Sequence, residues 1–504
     1  MIAAFDVASI RAGEQAHGID LESGVLMDRA ATGLARTIIA ILQELRGQIR
    51  GARIAIAVGG GNNGGDALFA GAKLAQRGAL VTAVCIGATA HEAGVATLRR
   101  ANGRVVQWQE TQSVLAQQEL FLDADIIIDG IVGIGGAGAL RPAAAAVVEL
   151  INSSGALVVA VDLPSGVAAD TGEVAELAVA ADITVTFGCL KPGLLIAPGS
   201  FFAGGVHVVD IGITDALVEP TLIALEALDV VAYVPKPDFN DYKYRRGVVG
   251  VAAGGRQYPG AALLAVGAAR MGDVGMVRYL DRGDDVAGQV LAAFPDVVAS
   301  GEDPGSATRV TAWACGPGFE PQDVLAVEAV LRTEVPVVLD AGALMAVASS
   351  APLRTAVAAR AGITVITPHP GEAAALAAAL SLPEDLGRLD LAKALAERLR
   401  LVVVLKGPAT LIAAPGGLVL VDTMGGAELS TAGSGDVLTG LAAAILAGAS
   451  ARGDVEDLDD AAVAAAAAVW LHGQAGQLAA AGGRPVTAVD VREHLAGAVA
   501  LVRR

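Results

Sequence analysis

Arg53-Ile-Ala-Ile-Ala-Val-Gly-Gly-Gly-Asn-Asn-Gly-Gly-Asp66 decides how the first half of the chain folds. Arg53–Val58 is an apolar run of strand length, and a helical pattern resumes at Ala67. Strand, glycine turn and helix together open an α/β unit. Glycines let a backbone approach a phosphate closely, and the amides that start a helix favour an anion. The run is not the usual dinucleotide fingerprint, because Asn62 and Asn63 replace part of its glycine spacing. A glycine-rich turn with left-handed asparagines is the plainer alternative. Asp66, which adds a carboxylate at a strand end, tips the balance towards a site.

Outward from this stretch the pattern repeats. Apolar residues recur at helical spacing from Val25 to Leu42, before the strand. Leu80–Ile86, Ile126–Asp129, Leu157–Asp162, Ile183–Phe187 and Val206–Ile211 read as further buried strands separated by helix-like stretches. Alternating strands and helices imply a parallel sheet covered on both faces, with ligands at the carboxyl ends of its strands. A polar, proline-bearing break follows around Asp215–Arg246. Beyond it, strands are expected at Val248–Ala252, Gly275–Tyr279, Val335–Leu339, Ile363–Thr367, Leu401–Leu405, Thr410–Ala413 and Leu418–Val421, with a long helix from Gly435 to Ala447. The halves share no motif, so the expectation is two different α/β domains, at 1–215 and 241–504, joined by a linker at 216–240. A chain of 504 residues is too long for one ordinary core in any case.

Composition narrows the function classes. Hydrophobic residues make up 54% and charged residues 17%, which is globular rather than disordered. A net charge of -18 excludes a general binder of nucleic-acid backbones, which needs a basic stripe. Cys85, Cys189 and Cys315 have no paired spacing, so no disulfide framework or zinc site is expected. No uninterrupted apolar run reaches membrane-spanning length, and Met1–Glu14 lacks a signal peptide's apolar stretch. A cytoplasmic enzyme without membrane or nucleic-acid partners fits best.

Two more strand ends of the first half carry carboxylates. Asp129 opens the flexible loop Asp-Gly-Ile-Val-Gly-Ile-Gly-Gly-Ala-Gly, and Val161-Asp-Leu-Pro-Ser-Gly166 places Asp162 and Ser165 at another strand end. A lone aspartate after a strand is usually a turn former or cap, but three such loops on one sheet converge. With Ala181-Asp-Ile-Thr-Val-Thr-Phe and Leu-Lys-Pro-Gly193, these motifs resemble, in content and order over roughly Ile10–Ile213, the NAD(P)H-hydrate epimerase family. The resemblance implies a Rossmann-like three-layer domain that binds hydrated NADPH (NADPHX). It assigns substrate binding to Asn62, Asn63, Gly64, Gly65 and Asp66, to Gly133, Ile134, Gly135, Gly136, Ala137, Gly138 and Ala139, and to Asp162. It also implies a potassium ion held by Asn63, Asp129 and Ser165, a set of oxygen donors that suits a hard cation. Asp162 is the expected acid/base for the ring hydroxyl that leaves and returns. Ala67 stands where glycine is common in that family, so a methyl group is expected against the phosphate loop.

In the second half, Ser430-Thr-Ala-Gly-Ser-Gly-Asp-Val-Leu-Thr-Gly440 is the strongest motif. Its glycines and the helix start present amides to an anion, and Asp436 lies in the first turn, where the helix dipole keeps a carboxylate available as a base. Alternatively Asp436 merely complements the dipole. Leu405-Lys-Gly-Pro-Ala-Thr410, Thr367-Pro-His-Pro-Gly-Glu372, Cys315-Gly-Pro-Gly318, Tyr258-Pro-Gly-Ala-Ala262 and Val338-Leu-Asp-Ala341 complete a set resembling the ribokinase-like NAD(P)H-hydrate dehydratase family over roughly Asp241–Arg504. The resemblance implies a ribokinase-like α/β domain in which ADP or ATP, as co-substrate with Mg²⁺, drives loss of water from the S-epimer. Ala261, Gly318, His369 and Asp436 would line the hydrate site, while Lys406, Gly407, Pro408, Ala409, Thr410 and Gly435 would hold the nucleotide. Gly342 stands where aspartate is frequent in that family, and Asp273-Val replaces an expected Gly-Ala.

The combined expectation is a homo-oligomeric repair enzyme that epimerises NADHX and NADPHX in one half and dehydrates them in the other. The alternative is a small-molecule kinase with a non-catalytic nucleotide-binding N-terminal domain.

Overall fold

The computed structural model describes residues 1–108, 121–136, 138–283, 285–307 and 309–504. The chain divides into two compact units, Ala3–Thr221 and Leu222–Arg504, the latter together with Met1–Ile2.

The first unit is built on a seven-stranded sheet, ordered Arg104–Gln107, Leu80–Cys85, Arg53–Val58, Ile126–Gly130, Leu157–Val161, Ile183–Phe187 and Gly205–Val209. Every neighbouring pair is parallel. Alternation along Arg53–Val58 divides its side chains between two cores. Ile54, Ile56 and Val58 join one with the helices Val25–Arg46 and Asn62–Gln76, while Ala55 and Ala57 join another with Val147, Val148 and Ile151 of the helix Pro142–Ser153. Helix Val25–Arg46 turns Leu34, Ile38 and Leu42, four residues apart, into the first core. Each is fully enclosed, worth roughly 1.5–3 kcal/mol of transfer free energy. The strand Arg104–Gln107 has no counterpart in the sequence reading; its Arg and Gln ends at the sheet edge give no apolar run.

Sheet order fixes the place of a ligand. From Arg53–Val58 the chain builds outward to Leu80–Cys85 and Arg104–Gln107, then returns to Ile126–Gly130 on the other side. That reversal opens a crevice at the carboxyl ends of Arg53–Val58 and Ile126–Gly130. The loops leaving these strands touch closely: a Cβ on Gly59 would lie 1.9 Å from the carbonyl oxygen of Ile131, so only glycine fits.

In the second unit the sheet runs Leu222–Ala224, Val419–Val421, Leu411–Ala413, Val402–Leu405, Thr364–Ile366, Val337–Leu339, Ala312–Cys315, Val248–Ala252, Met276–Leu280 and Val298–Ser300. The expectation of parallel strands holds except at Leu411–Ala413, which pairs antiparallel with both neighbours. Tight turns after Leu405 and at Gly416–Gly417 leave no room for a crossover helix. Helix Ser434–Arg452 is longer than the expected 435–447. It is long and apolar enough to cross a membrane, but most of it is buried in the core of this unit. The alanine content has a packing reason here: a Cβ on Gly440 would meet the Ala265 carbonyl oxygen at 2.0 Å, so this helix and Pro259–Ala269 approach backbone to backbone.

The stretch expected to link the domains, 216–240, is partly structured. Leu222–Ala224 pairs with Val419–Val421, and Val230 and Val234 are buried in the second core. Three apolar residues are too few to announce a strand in the sequence.

Candidate active sites

A cavity of about 1180 Å³ opens at the crevice of the first unit, above the ~300–1,000 Å³ of ordinary small-molecule pockets. Asn62, Asn63, Asp66, Gly133, Ile134, Gly135, Gly136, Gly138, Ala139 and Asp162 all line it. Gly64 and Gly65 are buried behind them, and Ala137 lies outside the described residues. Helix Asn62–Gln76 begins in this wall, and its first intrahelical bond runs from the Gly65 amide to the Gly61 carbonyl at 3.2 Å. The amides of Asn62, Asn63 and Gly64 precede that bond and face the loop end, an arrangement that favours an anion. Ala67 is fully buried, and its methyl group packs beneath the loop against Gly130, where an added Cβ would come within 2.6 Å. It does not crowd the cavity.

Asp129 is wholly buried and held by its neighbours. Its Oδ1 accepts from the Ser165 hydroxyl at 2.7 Å and its Oδ2 from the Ser165 amide at 2.8 Å. Burial pushes its carboxyl up to about 6, against the pull of these bonds. The Asn63 side chain points at the same loop: a Cβ on Gly133 would lie 2.9 Å from its Oδ1, and its Nδ2 is buried without a hydrogen-bond partner among the described residues. Asn63, Asp129 and Ser165 thus sit about one loop crossing.

Asp162 leaves the strand Leu157–Val161 with φ +67, a left-handed conformation that turns its carboxylate into the cavity wall. Its Oδ1 accepts from Lys191 Nζ at 2.5 Å. Lys191 is 1% exposed and also donates to Thr186 Oγ1 at 2.8 Å and to the Phe187 carbonyl at 2.9 Å. Lys191 stands in the Leu-Lys-Pro-Gly193 motif without an expected role, and an ammonium in an apolar strand-end segment is the signal that marks it. Burial, reinforced by Asp162 and Glu14, holds the Asp66 carboxyl well above its ordinary range. Burial and then Asp162 raise Glu14 as well, while Lys191 and Arg11 oppose. Asp162 and Glu14 therefore gather around one ammonium, with Asp66 beside both carboxyls. Glu14, from the helix Val7–Ala16, had no motif to announce it.

In the second unit the strand ends of one sheet converge on the start of helix Ser434–Arg452. Gly433, its N-cap, has φ +87, and Asp436 lies in the first turn. Burial, then the neighbouring Asp340 and Glu372, push Asp436 up to about 7 against the pull of Lys406. Lys406 Nζ donates to Asp340 Oδ1 at 2.7 Å and lies 3.9 Å from Glu372 Oε2. Gly435 adjoins this group, since an added Cβ would lie 3.1 Å from Lys406 Nζ. The turn that follows keeps Gly407 at φ +139 and Ala409 at φ +48, with Thr410 Oγ1 donating to the Gly407 carbonyl at 3.1 Å. Arg388 buttresses it by donating to the Pro408 carbonyl at 2.5 Å.

His369 caps helix Pro370–Ala379: its Nδ1 accepts from the Gly371 amide at 3.0 Å, and Glu372 answers by accepting from the His369 amide at 2.8 Å. This fixes the ring and leaves Nε2 towards Glu372 Oε1 at 3.5 Å. Ala261 and Gly318 meet each other, an added Cβ on Gly318 lying 2.8 Å from the Ala261 Cβ. The departures have structural reasons. A Cβ on Gly342 would meet the Phe319 carbonyl at 2.4 Å, so aspartate does not fit there. Asp273 clamps Arg246 at 2.5 Å and pairs with Arg503.

Two family models match the chain. One described as YjeF-related protein N-terminus matches residues 23–193, and one described as NAD(P)H-hydrate dehydratase matches residues 249–495. The chain is 41% identical over 503 residues to a bifunctional NAD(P)H-hydrate repair enzyme of Mycobacterium leprae, covering 98% of this chain and 99% of that one. A protein of the same name from Moorella thermoacetica is 35% identical over 509 residues, covering 94% and 92%. Among solved structures, the ADP/ATP-dependent NAD(P)H-hydrate dehydratase of Bacillus subtilis, co-crystallised with ATP and Mg²⁺, superposes with a TM-score of 0.46 at 28% identity, covering 55% of this chain and 98% of that one.

Proposed function

The chain belongs to the family of bifunctional NAD(P)H-hydrate repair enzymes, and from that premise we propose how its two sites divide the work. It repairs hydrated NADH and NADPH: the first unit interconverts the R and S epimers, and the second removes water from the S form at the expense of ADP or ATP. The observation that carries the division of labour is the placement of Asp162 and Asp436, one on each sheet's carboxyl edge, each beside a lysine.

In the first site, the ring hydroxyl leaves as water when the ring nitrogen's electron pair forms the iminium and a proton reaches the departing oxygen. Water then adds to the other face and returns a proton. Asp162 is the acid/base, its carboxylate balances the positive charge that forms and disappears, and Lys191 holds that carboxylate towards the cavity. The amides of Asn62–Gly64 take the diphosphate, and Gly133–Gly136, Gly138 and Ala139 line the cavity around it.

Potassium fits the residues present. The Asn63 amide, whose Nδ2 has no partner among the described residues, can turn either end inward, and with Ser165 Oγ and Asp129 it offers an oxygen donor set for a hard cation. Bound there, the ion supplies positive charge beside the diphosphate.

In the second site, Ala261, Gly318, His369 and Asp436 face the hydrate, while Lys406–Thr410 and Gly435 hold the nucleotide, whose Mg²⁺ arrives with it. Asp436 takes the proton of the ring hydroxyl as that oxygen bonds to the terminal phosphorus, and the bond from phosphorus to the nucleotide breaks. Phosphate then leaves from the ring carbon, a proton leaves the adjacent carbon, and the reduced cofactor is restored. The proposal extends to a homo-oligomer working in the cytoplasm.

The test mixes the protein with purified R and S hydrates of NADPH, with and without ADP or ATP and Mg²⁺, and follows the absorbance of restored NADPH. Nucleotide-dependent recovery of both epimers is expected. Accumulation of a stable phosphorylated product instead marks a small-molecule kinase.

A further inference from the structure

Reading Asp436 as the base of dehydration leaves one neighbouring group without a role. Asp340 follows the strand Val337–Leu339 and is 1% exposed. Its Oδ1 accepts from Lys406 Nζ at 2.7 Å and its Oδ2 from Thr439 Oγ1, also at 2.7 Å. The Thr439 hydroxyl lies 2.9 Å from the Gly435 carbonyl one turn back in the same helix. A Cβ on Gly435 would lie 3.6 Å from Asp340 Oδ2. One carboxyl thus ties together a strand end, the nucleotide-side lysine and the turn that carries Asp436.

We propose that Asp340 is a positioning residue of the dehydratase, which holds Lys406 over the first turn of helix Ser434–Arg452 and, as a fixed neighbouring negative charge, keeps Asp436 basic enough to take the hydroxyl proton. The inference rests on the proposed role of Asp436. Among the described residues the ionisable groups around Asp436 are Asp340, Lys406 and Glu372, each from a different strand-end segment, with His369 beside Glu372 and His472 on Ser434. Of the two carboxyls, Asp340 does more to raise Asp436 towards about 7, and Lys406 works the other way. Asparagine at 340 keeps an acceptor for Thr439 but removes the charge. Valine at 439 keeps both charges but frees the carboxyl from the helix.

The experiment measures kcat for S-NADPHX against pH, at saturating ATP and Mg²⁺, in the wild-type chain and in Asp340→Asn and Thr439→Val. In the wild type the rate rises with pH through the titration of Asp436. Asp340→Asn is expected to move that rise to lower pH by about one unit, the size of a neighbouring-charge effect in a partly buried site. Thr439→Val is expected to lower kcat severalfold while leaving the rise in place. A rise that stays put in folded Asp340→Asn overturns the inference, as does full wild-type kcat in Thr439→Val should the first variant not fold. Absence of nucleotide-dependent dehydration in the wild type overturns the role of Asp436 instead, so the two failures are distinguishable.

Discussion

Replacing Lys191 by methionine removes the ammonium beside Asp162 and Glu14 while keeping most of the side chain's apolar bulk. Lys191 is 1% exposed, and its Nζ makes three bonds, to Asp162 Oδ1 at 2.5 Å, Thr186 Oγ1 at 2.8 Å and the Phe187 carbonyl at 2.9 Å. Breaking a buried pair by deleting one partner costs about 3–5 kcal/mol, because the remaining charge keeps its desolvation without compensation. Asp162 is left in that position, with the carboxyls of Glu14 and Asp66 nearby. Converting Asp162 to asparagine as well removes the stranded charge, so the double variant is expected to recover about half of the lost stability. Activity divides the other way: both single variants and the double lose epimerisation by at least ~100-fold, since the acid/base group is displaced or absent. Hydrogen exchange of the strands Leu157–Val161 and Ile183–Phe187 reads the stability, and the rate at which R-NADPHX becomes available to the dehydratase reads the epimerisation. Wild-type epimerisation in Lys191→Met, or a double variant no better protected than the single, refutes the reasoning.

Three further expectations follow from the geometry. Asp436→Asn should lower dehydration by at least ~1,000-fold without changing epimerisation, measured separately on S and R hydrates. Gly133→Ala places a Cβ 2.9 Å from Asn63 Oδ1, so epimerisation should fall and lose its response to added potassium, read as rate against KCl at constant ionic strength with sodium or choline salts. His472 is buried against Ser434, and burial lowers it to about 4. Because the unfolded chain takes up that proton first, the second unit should lose up to about 3 kcal/mol as pH falls from about 6.5 to 4. Hydrogen exchange across Ser434–Arg452 at several pH values checks it, and His472→Gln should flatten the loss.

Much of this arrangement is written locally. Arg53–Val58, Ile183–Phe187 and Val248–Ala252 are strands with the bounds that their apolar runs suggest, because buried parallel strands need continuous apolar residues. The site loops are equally visible, since several loops rich in glycine, asparagine and aspartate fall at the carboxyl ends of one sheet. What local pattern misses depends on partners distant in sequence. Ala312–Cys315 shows in the sequence only through Cys315 of the motif that follows it, and Val298–Ser300 and Leu222–Ala224 are three-residue strands defined by their neighbours. Lys191 and Glu14 become site residues only when the fold brings them to Asp162. Asp273 and Gly342, which read as departures within the hydrate-binding half, are explained by an arginine clamp and a close carbonyl.

The central claim is that one chain holds two separable activities, and complementation tests it most directly. Asp162→Ala and Asp436→Asn chains are each given an equal mixture of R- and S-NADPHX with ATP and Mg²⁺, alone and then mixed. The account predicts that Asp162→Ala restores only the S half at a catalysed rate, that Asp436→Asn restores neither, and that the mixture restores the whole pool. Full recovery by Asp162→Ala alone, or a mixture that stops at half, contradicts it.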